Sequence, residues 1–93
     1  MKEKILTLHP DGKQGVNISS EKYDIIRQAI LSVLGEQKET RFKDLPAEVE
    51  QKLESSFDGS ISWYVTTVKL DLEARGLIIR VAKSSPQRLR LAS

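Results

Sequence analysis

Cysteine is missing from all 93 residues, which excludes disulfide staples and thiolate metal sites. Histidine occurs once, at His9, with no second histidine or cysteine to share a metal, so His9 reads as a strand-end residue. Long apolar runs are missing too. Nothing approaches the roughly 18 consecutive apolar residues of a membrane span, and the amino terminus, MKEKILTLHPDG, turns polar too soon for a secretory leader. A cytoplasmic location is therefore expected. The patterns that mark catalysis are also lacking: there is no Gly-rich phosphate loop, no pair of histidines and no serine set beside a histidine in a catalytic spacing. The carboxylates are scattered along helix surfaces, where they serve solubility. The expectation is a protein that is not an enzyme, with no cofactor and no bound metal.

What is present is ordinary for a folded domain: 39% apolar and 30% charged residues, enough for one modest core. No repeat or low-complexity tract interrupts the chain. The net charge of +2 conceals an asymmetry. Residues 1–59 carry nine Lys/Arg against eleven Asp/Glu, whereas residues 60–93 carry six against two. A positive field at that end favours encounter with a polyanion.

Residues 60–91 are the most organised stretch. Ile61, Val65, Val68 and Leu72 share one helical stripe, Ser60 or Ser62 can cap the helix start, and Arg75-Gly76 closes a helix over 60–75. Alternation then predicts a hairpin over 77–91, with Leu77, Ile79 and Val81 on its apolar side with Leu89 and Leu91, against Arg80, Arg88 and Arg90, about a turn at 83–86.

Earlier in the chain, residues 3–18 alternate about Pro10-Asp11-Gly12 and predict a first hairpin, with Leu6 and Leu8 on one face and Ile5 and Thr7 on the other. Tyr23, Ile26, Ile30, Val33 and Leu34 make the buried stripe of a helix over 20–35 stopped at Gly35. Leu45, Val49 and Leu53 make a second helix over 43–54, with Pro46 tolerated in its first turn. Phe42 sits where a short strand could pair with the carboxy-terminal hairpin, and Phe57 anchors the turn at Asp58-Gly59.

The order helix, helix, helix, hairpin, with Val65, Val68, Leu72, Glu73, Gly76, Leu77 and Ile78 at the junction, resembles the recognition helix and first wing strand of the winged helix-turn-helix superfamily. From Lys4 to Leu91 the chain is similar to small, single-domain, uncharacterised bacterial winged-helix proteins with an Asp11-Gly12-Lys13 hairpin and a Trp63-Tyr64 start to the third helix. The resemblance implies an α+β fold, a winged helix with a three-helix core and a carboxy-terminal wing, preceded by an amino-terminal hairpin in one domain over 1–93. It also implies double-stranded DNA as partner, transcription regulation as role, and a homodimer.

On that reading Ser62, Thr66, Thr67 and Lys69 on the third helix, and Arg80, Lys83, Arg88 and Arg90 on the wing, are the candidate DNA contacts. Glu73 and Asp71 would repel phosphate. Trp63 and Leu70, left in water by the core stripe, are candidate contacts for a partner or second subunit. The alternative is a winged-helix protein–protein interaction module without DNA binding, since fold alone does not fix function.

Overall fold

Ser19 ends a strand and begins a helix in a single step. Its hydroxyl accepts the Lys22 N–H (3.3 Å), covering one of the amides that a helix start leaves unpaired. In the computed structural model, which describes residues 3–53, 57–82 and 87–92, helix α1 runs Ser20–Glu36. It passes through Gly35, which is therefore not the stop. The chain leaves in an extended conformation at Gln37, whose N–H donates to the Val33 carbonyl (2.9 Å), so no left-handed residue is needed there.

The amino-terminal hairpin pairs strand β1 (Lys4–Leu6) with β2 (Asn17–Ser19), antiparallel, with Ile5 opposite Ile18. Ile18 is buried and Ile5 packs against the core, while Leu6 and Leu8 face outward. The loop between them is drawn in at Thr7, a buried residue whose N–H donates to the Val16 carbonyl and whose hydroxyl accepts the Val16 N–H. Gly15 passes so close that a Cβ there would overlap the Thr7 carbonyl oxygen.

Strand β3 (Thr40–Arg41) and a 3-10 turn, Phe42–Asp44, lead into α2 (Leu45–Lys52), which starts later than expected and carries Pro46 in its first turn. Leu53 caps its end in an extended conformation, and the expected last residue, 54, lies outside the described residues. Helix α3 runs Ile61–Ala74, with the Ser60 hydroxyl accepting the Trp63 N–H (3.2 Å). It ends as the sequence predicts. Gly76 has φ +77°, its N–H reaches the Glu73 carbonyl (3.1 Å), and the Leu77 N–H reaches the Leu72 carbonyl (3.0 Å), which is a Schellman cap.

That cap also corrects the hairpin. Leu77 is consumed in closing the helix and is 38% exposed, so β4 begins one residue later (Ile78–Arg80) and turns Ile78, not Leu77, into the core. Ile79 is half-buried. Strand β5 (Arg88–Leu91) lies between β4 and β3, giving an antiparallel sheet of order β3-β5-β4 with Leu89 opposite both Arg80 and Thr40. The expected turn at 83–86 falls outside the described residues.

Among the described residues, three α-helices and two small sheets make the fold α+β. Ile26, Ile30 and Val33 of α1, Leu45 and Val49 of α2, Val65, Val68 and Leu72 of α3, and Ile78 and Leu89 of the sheet form one core almost closed to solvent. Each such side chain contributes roughly 1.5–3 kcal/mol of transfer free energy. Among the described residues no helix is long and apolar enough to cross a membrane.

Candidate nucleic-acid interface

The core stripe of α3 fixes which side chains the helix can show. With Val65, Val68 and Leu72 inward, Ser62, Trp63 and Thr66 are exposed and Thr67 is half-exposed. Leu70 is half-buried rather than left in water, so it does not form an exposed apolar pair with Trp63. Trp63 alone stays open, at 47% exposure. Its ring stands edge-on to Tyr64 (4.9 Å, 81°), which stands edge-on to Phe57 (5.1 Å, 76°), and Phe57 packs against the core as expected. Lys22 lies near the Tyr64 and Phe57 rings (5.5 and 5.8 Å to the centroids) and pairs with Asp58 at 3.7 Å.

Lys69 does not join this surface. Only 3% of it is exposed: the ammonium sits 4.6 Å from the centre of the Phe42 ring and 2.8 Å from Glu73 Oε1. Burial pushes its pKa down, against the opposing pull of the Glu73 carboxylate. Glu73 is itself covered, its side chain 5% exposed, and it takes Arg80 as a second cation through the guanidinium Nε (3.2 Å to each oxygen). Hydrogen bonding to Glu73 raises the Arg80 pKa, and Asp11 in the hairpin loop adds to the effect. Arg80 is half-exposed and already partnered, so a phosphate would have to compete with Glu73 for it.

Asp71 departs furthest from expectation. The sequence sets it among phosphate-repelling groups near the outer face, yet it is fully buried. Its Oδ1 accepts the Leu8 N–H (2.8 Å) from the amino-terminal hairpin, and its Oδ2 accepts the Arg75 Nε–H (2.8 Å) and the Tyr23 hydroxyl of α1. One carboxylate therefore ties α3 to α1 and to the hairpin. Burial, then the hydrogen bond to Asp71, push the Tyr23 phenol up to about 12. The hairpin thus folds back on its own chain without covering Trp63. The signal available in the sequence was the i, i+4 spacing of Asp71 with Arg75 and of Lys69 with Glu73.

On the sheet, Arg88 and Arg90 are exposed on the face opposite Leu89, and Arg88 stands across from Arg41, which pairs with Asp44 (2.7 Å). Lys83 lies outside the described residues. A hollow of about 330 Å³ opens between Pro10 and Asp11 of the hairpin loop and Ile78–Arg80, with Glu73 in its lining. His9 caps the loop, its Nδ1 accepting the Asp11 N–H (3.1 Å). Among the described residues no three His, Asp or Glu side chains gather as a metal site.

Both acidic residues of the carboxy-terminal third are thus folded away and paired, while arginines and hydroxyls face outward. The chain matches a family of unknown function, DUF6958, over residues 4–89. It belongs to that family. No curated protein and no solved structure matches it.

Proposed function

We propose that the protein is a winged-helix DNA-binding protein, a small transcriptional regulator of the bacterial type, with α3 as recognition helix and the β4–β5 hairpin as wing. The observation that carries the reading is the fate of Asp71 and Glu73. Two carboxylates that would repel phosphate are withdrawn from the surface and neutralised, at 0% residue exposure and 5% side-chain exposure. The exposed charge of the described residues after Ser60 is then arginine, and the exposed polar groups of α3 are Ser62 and Thr66. The sheet order β3-β5-β4 supports the reading, because a strand before α2 pairing with the second strand of a terminal hairpin is how a winged helix closes its sheet.

Arg88 and Arg90 hold backbone phosphates, with Arg80 a weaker contributor because Glu73 already engages it. A homodimer doubles this small footprint across a two-fold axis. Its contact surface is the outer face of the amino-terminal hairpin, where Leu6 and Leu8 are 53% and 43% exposed.

Retention on duplex DNA tests the reading. The protein binds at low ionic strength and is released as salt rises; failure to bind duplex at low salt, with the fold intact, favours an interaction module instead.

A further inference from the structure

Base edges are read by a small chemical vocabulary. Arginine and lysine suit guanine, asparagine and glutamine suit adenine, carboxylates suit cytosine, and apolar groups pack on the C5 methyl of thymine. The open face of α3 contains almost none of the first three. Its exposed residues are Ser62, Trp63 and Thr66, and its two charged groups at this spacing, Lys69 and Glu73, are buried against each other. What remains is one indole ring, one threonine methyl and two hydroxyls.

The geometry points to thymine C5 methyl groups in the major groove as the ligand of this face, with Trp63 and Thr66 as the residues that contact them. The inference rests on the DNA-binding reading above and reassigns Trp63 from a second subunit to DNA. Trp63 is suited to the task because Tyr64, itself packed edge-on against Phe57, meets its ring edge-on, so little freedom is lost when the open side is covered. Charge complementarity supports duplex as the occupant: the helix face shows no exposed carboxylate, and Arg88 and Arg90 stand exposed on the following hairpin.

One mixed-sequence duplex in three forms makes the test: with thymine, with uracil in place of thymine, and with uracil together with 5-methylcytosine. The three differ chiefly in C5 methyl groups. Thymine is expected to bind about fourfold more tightly than uracil for each methyl covered, which corresponds to about 0.8 kcal/mol for one buried methyl. Adding 5-methylcytosine should recover part of the loss. In Trp63→Ala most of the advantage disappears while the salt dependence remains, and Thr66→Ser, which deletes a single exposed methyl, narrows it without touching the core. Equal affinity of the parent protein for all three forms overturns the methyl reading and leaves DNA binding standing. No salt-sensitive binding to any form removes both.

Discussion

Asp71→Ala is the most informative single change in the fold. The carboxylate is fully buried and serves three donors on three segments, so the cost can be worked from what each donor becomes without it. The Tyr23 hydroxyl is left without an acceptor in a residue only 5% exposed, at about 1–3 kcal/mol. The Leu8 N–H belongs to an exposed residue and recovers part of its hydration, adding about 1 kcal/mol. Arg75, with 36% of its side chain exposed, turns to solvent and adds little. The total is about 3 kcal/mol, a large share of the roughly 5–14 kcal/mol expected for a domain of this size. Urea unfolding reads it directly, and melting should fall by roughly 12–24 °C. The paired variant Tyr23→Phe with Asp71→Ala should cost less than the two changes summed, because the shared hydrogen bond is removed only once. A change below 0.5 kcal/mol (~ the level of an ordinary surface substitution) in Asp71→Ala, or strict additivity, would refute the three-way tie.

Three further outcomes follow from named residues. Gly76→Ala should cost about 1 kcal/mol from its positive φ alone, since a Cβ there meets open space; an unchanged unfolding midpoint would place the helix stop elsewhere. Gly15→Ala should open the amino-terminal hairpin by forcing the Thr7 carbonyl aside, seen as lost exchange protection at the Thr7 amide while α1 and α3 stay protected; retained protection at Thr7 contradicts the close approach. Tyr23 is raised from 10.0 to about 12 in the folded state, so its contribution is whole below pH 10 and is lost as pH climbs from there through about 12. The stability gap between the parent and Tyr23→Phe should narrow across that window, and a constant gap would mean that neither burial nor Asp71 raises the phenol in the folded state.

Local chemistry was legible wherever one residue decides the backbone. Ser60 and Gly76 were readable because a hydroxyl at a helix start and a left-handed residue at its end are requirements of the helix itself. The phase of β4 was not, since Leu77-Ile78-Ile79 is apolar in either register and the choice fell to Leu77 closing the helix cap. Gly35 misled for the opposite reason: the chain exits α1 extended and makes no use of a glycine. The surface of α3 departs from its helical wheel at Lys69, Asp71 and Glu73: their i, i+4 ion pairs are legible, but Phe42, Tyr23, Leu8 and Arg80, the further partners that let them be buried, lie on other elements. A helical wheel sorts side chains by polarity, and it cannot register a buried charge whose partner arrives from elsewhere in the chain. The outward placement of Ser62, Trp63 and Thr66 did follow from the apolar stripe.

The claim that the carboxy-terminal hairpin holds the DNA phosphates is tested most directly by the salt dependence of DNA affinity in the parent and in Arg88→Ala with Arg90→Ala. Removing one arginine that neutralises a phosphate flattens the slope of log affinity against log salt by about 0.9. The double variant is therefore expected to bind more weakly at every salt concentration and to show a slope shallower by about 1.8 units. Identical slopes and affinities for parent and variant would contradict the account.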